Sequence, residues 1–231
     1  MNVSIPARPE TVTLDPARTA VIVVDMQNEF AAVGGAFERA GIDISTIRAA
    51  IKPTRNVIDI GRAAGMKVVF LKMGFLPDLS DAGAPNSPTW IKHLPLGAGN
   101  EVTAPNGSPS RIFIRDTWNT DIIDELGPDA SDIVMYKHRF SGFFETNLDA
   151  ELRALDISTL VFVGATTSIC VDSTVRDAMF RDYHCLIVED CVAEPIGSGL
   201  ARSNQEATLL ALQLLFASIT DSTQVLSALR A

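Results

Sequence analysis

Cysteine and histidine are scarce in this chain of 231 residues, with 3 of each. Cys170, Cys185 and Cys191 are too few for a disulfide scaffold, and with an odd count and no CxxC pair they read as reduced thiols. His93, His138 and His184 show neither HxH nor HxxxH spacing, which argues against a structural zinc site. Basic residues are outnumbered as well: 19 Lys+Arg stand against 28 Asp+Glu, a formal charge of −9. Phosphate-backbone and anionic-membrane binding rest on clustered cations, so neither a nucleic acid nor a membrane is expected as a partner. Met1 to Thr13 holds no long apolar stretch behind a basic start. We therefore expect no secretory signal or membrane span there, and the default address is the cytoplasm. No GxGxxG follows an apolar run, which leaves little room for a dinucleotide-dependent oxidoreductase.

What the chain does have is apolar substance. Hydrophobic residues make up 47% of it, enough to offset the ordering entropy of a packed domain, and one domain over 1–231 is expected. Thr19-Ala-Val-Ile-Val-Val-Asp25 is apolar at nearly every position rather than alternating, which predicts a strand covered on both faces at the centre of a parallel sheet. Similar runs recur at Met66 to Leu71, Asp132 to Tyr136, Thr159 to Val163 and Cys185 to Val188, with a weaker one at Ala217 to Ile219. Helical patterns fill most of the gaps: Ser45 to Ala64 around Pro53, a capping box Thr146-Asn-Leu-Asp149 opening a helix to Leu155, Cys170 to Arg181, and Leu200 to Phe216. Alternating strands and helices imply right-handed crossovers, hence a doubly wound α/β/α sandwich of about six parallel strands. Residues 75–110, rich in Gly, Pro, Ser and Asn, read as a long loop of the kind that forms a lid or an oligomer contact.

In open parallel sheets ligands bind beyond the carboxyl ends of the strands, so polar residues just after apolar runs come first as site residues. Asp25, Lys137 and Cys170 stand out. Cys170, read at a helix start beside a Lys137 ammonium, has the setting of a thiol with lowered pKa. Asp25 could take its proton and later activate water, and backbone N–H groups of the Gly164 to Cys170 loop could hold an oxyanion. Each residue also has an ordinary reading: a small buried hydrophobe for Cys170, a helix cap for Asp25, a solvated strand end for Lys137. Cys185 and Cys191 keep that ordinary reading.

Together, Val23-Val-Asp25-Met-Gln-Asn28, Tyr136-Lys137 and Gly164-Ala-Thr-Thr-Ser-Ile-Cys170-Val171, followed by Ser173-Thr-Val-Arg-Asp177, resemble the cysteine hydrolases of the isochorismatase-like superfamily over nearly the whole chain. The resemblance implies an Asp25, Lys137, Cys170 triad. It also implies a non-proline cis peptide between Ala165 and Thr166, with Ala165, Thr166 and Cys170 around the oxyanion hole. His138-Arg-Phe-Ser-Gly-Phe-Phe144 and Trp118 are most similar to the ureidoacrylate amidohydrolase branch, and Gly74-Phe-Leu-Pro-Asp-Leu79 to biuret hydrolases. The implied activity is cleavage of a small ureido or amide substrate through a thioester, with release of ammonia and a carbamate. A related biuret or N-carbamoyl amino acid amidase and an inactive ligand-binding homologue are the alternatives.

Metal-binding nicotinamidases of this superfamily carry a short Asp-x-His motif after the second strand, where this chain reads Lys72-Met-Gly-Phe75, so no metal and no other cofactor is expected. The ureidoacrylate branch has an amide side chain near Met73, which this chain lacks. By position, Phe30, Phe75 and Trp118 are expected to wall the pocket. Arg139 is expected to meet a substrate carboxylate, with Ser141 beside it. A homotetramer is the assembly implied by the resemblance.

Overall fold

A strand that is apolar on both faces has no side to offer water, and the computed structural model, which describes residues 2–197 and 199–230, places the two such strands side by side. They are β1 (Thr19–Val24) and β4 (Thr159–Ala165), buried at every position. Around them lie β2 (Lys67–Met73), β3 (Ile133–Lys137), β5 (His184–Ala193) and β6 (Ser218–Thr220). The order is β6-β5-β4-β1-β2-β3 and every neighbouring pair is parallel. The chain winds outward from β1 to β3, then returns to β4 and winds the other way, so the switch point falls between β1 and β4.

The alternation of side chains along β1 divides the interior in two. Val21 and Val23 join one core with Ile47, Ile51, Val57 and Ile58 of α1 (Ser45–Ala63). Ala20, Ile22 and Val24 join the other, with Leu148 and Leu152 of α2 (Leu148–Ala154), Val175 and Ala178 of α3 (Asp172–Met179), and Leu212 of α4 (Asn204–Leu215). A fifth helix, α5 (Ser222–Arg230), contributes Val225 to the first core. The result is the expected doubly wound α/β/α sandwich with six parallel strands.

Several local expectations need correction. The helix expected to open with a capping box at Thr146 begins at Leu148, and its N-cap Asn147 makes no side-chain cap bond. Thr146 Oγ1 does accept from Leu148 N at 3.3 Å while donating to Gly142 O at 2.5 Å, but the reciprocal half of the box is missing, because the Asp149 carboxylate accepts from Tyr183 Oη at 2.8 Å. A true capping box occurs at Ser203 and Glu206, four residues into the segment expected to start at Leu200. Pro53 does not interrupt α1. The helix α5 and a short antiparallel ribbon pairing Val3–Ile5 with Val12–Leu14 add to the elements that the pattern predicts. Residues 75–110 are more ordered than a bare loop: they contain a helix, Pro88–His93, and most of a second ribbon, Glu101–Thr103 against Pro109–Arg111.

One glycine makes the centre of the sheet possible. Gly164 has φ +116°, and a Cβ there would stand 2.1 Å from Val24 O. Only a residue without a side chain lets β4 approach β1 so closely. The β4–β5 register shifts at the same point, between Phe162 and Gly164.

Candidate active site

The carboxyl ends of three strands each deliver one polar residue. Asp25 follows β1 directly, its N–H bonded to Leu71 O at 3.0 Å on β2. Lys137 ends β3, two strands away, and is paired in register with Met73 of β2. Its long side chain crosses that residue, Nζ lying 4.0 Å from Met73 Sδ and 2.7 Å from Asp25 Oδ2. Cys170 sits in a single wide turn, Thr167–Val171, between β4 and α3 and not in the first turn of the helix itself. Its thiol lies against both Asp25 and Lys137. All three side chains are buried.

The electrostatics follow from that burial. Desolvation raises the Asp25 pKa, and Lys137 only partly reverses this, so the carboxylate is a stronger base than an exposed aspartate. Desolvation works against the Lys137 charge, but Asp25 and Cys170 beside it outweigh this and hold the ammonium protonated. For Cys170 the expectation of a lowered pKa is reversed. Burial pushes the thiol up, Lys137 pulls it down, and the Asp25 charge pushes it up again, for a net rise. Burial is the largest influence, and the pull of Lys137 against it is weakened further by the carboxylate 2.7 Å from its ammonium. The resting arrangement is thus a neutral thiol next to an ion pair.

The turn that carries Cys170 is tied down on every side. Thr166 O accepts the N–H groups of Ile169 and Val171, each at 3.1 Å. Buried Glu194 accepts from Ser168 N at 2.9 Å and from the Ser168 hydroxyl, and its other oxygen accepts from Ile196 N at 3.0 Å. Thr174 Oγ1 donates to Cys170 O at 2.6 Å and accepts from Gly142 N at 3.0 Å, joining α3 to the segment after β3. The peptide bond between Ala165 and Thr166 is cis.

The polar residues after Asp25 brace the opposite side. Gln27 is fully buried, with Nε2 donating to Met73 O at 2.9 Å and Thr120 O at 3.0 Å, and Oε1 accepting from Met73 N at 2.7 Å. Asn28 Nδ2 donates to Trp118 O at 2.8 Å. Glu29 accepts from Phe113 N and from Asn119 Nδ2. Its burial raises its pKa to about 7 despite these donors.

Above Asp25 and Cys170 opens a narrow cavity of about 60 Å³, walled by Phe30, Phe37, Met73, His93, Leu96, Phe113, Phe140 and Ile169, with Ala165 and Thr166 at its edge. Of the expected wall residues only Phe30 is there, packed on Phe37 and Phe113 at centroid distances of 4.9 and 5.7 Å. Phe75 stands one layer back, edge-on to His93 at 5.3 Å. Trp118 lies over Gly34. Ser141 Oγ is taken by Phe143 N at 3.1 Å. Arg139 does not line the cavity, since Nη1 donates to Asp81 O at 2.8 Å and to His138 O at 2.7 Å. His93, Leu96, Phe113 and Phe140 join the wall without a sequence signal, because sequence neighbourhood to the triad carries no trace of them. They come from the long segment after β2 and from the turn after β3. Among the described residues no group of three or more His, Cys, Asp or Glu is placed to hold a metal ion, and no helix is long and apolar enough to cross a membrane.

An isochorismatase domain profile matches residues 19–224. The chain belongs to the isochorismatase family. Within it, the chain is 42% identical over 187 residues to the ureidoacrylate amidohydrolase RutB of Agrobacterium fabrum, 81% of each chain. It is 38% identical over 221 residues to the protein of the same name in Serratia proteamaculans, 96% of this chain and 86% of that one. Among solved structures of the family's fold, a cysteine hydrolase from Pseudomonas syringae pv. phaseolicola 1448A superposes with a TM-score of 0.78 at 26% identity, over 94% of each chain. N-carbamoylsarcosine amidase from Thermoplasma acidophilum does so with a TM-score of 0.64 at 29% identity, over 89% of this chain and 96% of that one.

Proposed function

We propose that this member of the isochorismatase family is an amidohydrolase that cleaves the terminal C–N bond of a small ureido substrate, ureidoacrylate first among them. The observation that carries the reading is the buried Asp25–Lys137 pair, 2.7 Å apart, set against Cys170 on the floor of a mostly apolar cavity. The names of the relatives supply the substrate class.

In this reading Asp25 removes the Cys170 proton as sulfur attacks the ureido carbonyl, so no standing thiolate is needed and the raised thiol pKa is no obstacle. The Cys170 and Thr166 N–H groups receive the oxyanion, while the amides of Ser168, Ile169 and Val171 are committed to Glu194 and Thr166 O. The C–N bond breaks, ammonia leaves with the proton held by Asp25, and a carbamoyl thioester remains. Water then gives a proton to Asp25 as its oxygen adds to the carbonyl carbon, the C–S bond breaks with that proton returned to sulfur, and a carbamate departs and loses carbon dioxide. Lys137 stays protonated and offsets the negative charge as it passes from carboxylate to sulfur to oxygen. His93 and Leu96, from the segment 75–110, serve as the cover that keeps bulk water out.

The test is ammonia release from a panel of ureidoacrylate, biuret, N-carbamoyl amino acids, nicotinamide and a simple aliphatic amide, each with a Cys170→Ala control. Turnover of ureidoacrylate that vanishes in the control is the expected result. The likeness to N-carbamoylsarcosine amidase favours a second reading, an N-carbamoyl amino acid amidase, and a preference for those substrates selects it. Silence across the panel together with tight binding of a ureide selects a ligand-binding homologue.

A further inference from the structure

His93 is a cavity residue whose imidazole the triad chemistry leaves unused. Its residue is 4% exposed and its ring is held on every side. It stacks on Phe140 at 5.7 Å with an interplanar angle of 24°, and meets Phe75 and Phe113 edge-on, each at 5.3 Å. Nδ1 lies 2.7 Å from Thr89 O. A carbonyl can only accept, so the proton is on Nδ1 and the tautomer is settled by the backbone. Nε2 on the far edge of the ring has no hydrogen-bond partner among the described residues. Burial, with the charges of Lys137 and Arg139 nearby, lowers the His93 pKa and holds the ring neutral.

An acceptor that a bound ligand seals from water costs free energy unless the ligand supplies a donor. Phe37, Leu96, Phe113 and Phe140 of the cavity carry no side-chain donor, and neither the Thr166 hydroxyl nor the Cys170 thiol is bonded to Nε2. The donor must therefore arrive with the ligand. A simple carboxamide brings only its leaving NH2, which the triad engages, whereas a ureide carries a second N–H on the other side of its carbonyl. We propose that His93 is a specificity-determining residue whose Nε2 accepts a hydrogen bond from that internal N–H, so that the site selects ureides over plain carboxamides. This rests on the amidohydrolase reading above.

The test compares two substrates and three proteins. The substrates are the ureide that the panel singles out and its isostere with CH2 in place of the internal N–H; for ureidoacrylate this is 4-carbamoylbut-2-enoate. The proteins are the wild type, His93→Phe, which keeps the stacked ring, and His93→Gln, which restores an acceptor. His93→Phe is expected to lower kcat/KM for the ureide at least about tenfold while leaving the isostere within about twofold, with His93→Gln recovering part of the preference. Because intrinsic reactivity is the same in all three proteins, it cancels from the change in the ratio. An equal loss on both substrates, or no change on either, assigns His93 a packing role and overturns the proposal. A panel that singles out a plain carboxamide overturns it too, while leaving amide hydrolysis intact. Wild-type protein inactive on every amide defeats the underlying reading instead. Independently of activity or of how the variants fold, long-range 15N–1H spectra of the wild type should show His93 protonated on Nδ1 alone at neutral pH, and an imidazolium or an Nε2–H tautomer refutes the proposal.

Discussion

Lys137 Nζ stands 2.7 Å from Asp25 Oδ2, and neither side chain has meaningful contact with solvent. A buried pair of this kind is worth little as a pair but a great deal to keep whole, since removing one member strands the other charge in a poor solvent. Lys137→Met should therefore abolish turnover and also destabilise the fold by about 3 to 5 kcal/mol in urea unfolding. Cys170→Ala, which strands no charge, should be equally inactive with its unfolding midpoint close to wild type. Normal ammonia release by either variant refutes the catalytic assignment.

The same geometry makes a counterintuitive statement about reactivity. The Asp25 charge helps hold the Cys170 thiol protonated while Lys137 pulls the other way. Asp25→Asn removes only the first influence, so it should lower the Cys170 pKa even as it stops turnover. In the free wild type, alkylation of Cys170 by iodoacetamide should stay slow at neutral pH and rise only above the usual thiol range of about 8.5. In Asp25→Asn the rise should come at lower pH. Peptide-level mass spectrometry separates Cys170 from Cys185, whose burial pushes its pKa up to about 12, and from Cys191. A wild-type profile already at its plateau by pH 7 contradicts the resting thiol.

Glu29 predicts a pH dependence of stability. Its pKa rises on folding from 4.5 to about 7, so between those values the folded chain binds a proton that the unfolded chain has released. The associated stability is fully present below pH 4.5 and is lost as pH climbs through about 7. Glu29→Gln does not titrate. The stability of that variant minus that of wild type should grow by about 3 kcal/mol across this window and be flat outside it. A difference that does not change with pH means that Glu29 stays charged in the folded protein.

Gly164→Ala tests the join between β1 and β4. The added methyl would meet backbone, not a side chain that could swing away, and φ at +116° is itself outside the range of alanine. A loss of at least about 3 kcal/mol, or failure to accumulate as soluble protein, is expected. Wild-type stability in thermal unfolding contradicts so close an approach of the two strands.

Much of this was legible in the residues themselves. Runs such as Thr19-Ala-Val-Ile-Val-Val24 state their burial through composition alone, and the succession of strands and helices restricts the topology through the handedness of crossovers. Asp25, Lys137 and Cys170 were readable because each closes an apolar run or its following loop, which is where a parallel sheet gathers its polar ends. What the pattern did not contain was anything that depends on a side chain's competing partners. Thr146 and Asp149 have capping chemistry, yet only Thr146 reaches the helix start, at Leu148 N, while Tyr183 Oη claims Asp149. Arg139 has the fork to bind a carboxylate, yet carbonyls of Asp81 and His138 hold it.

The pocket shows the division most clearly. Cys170 and Asp25 were determined by sequence, because strand ends lie at a fixed edge of the sheet. Their protonation was decided by the tertiary structure, because a pKa depends on the summed charge and solvent around a group, and the Lys137 charge turned out to be shared. His93 could not be read as a wall residue from a segment of loop composition. Only packing between Phe75, Phe113 and Phe140 brings that ring to the cavity, and only the carbonyl of Thr89 decides which nitrogen is left to face a ligand.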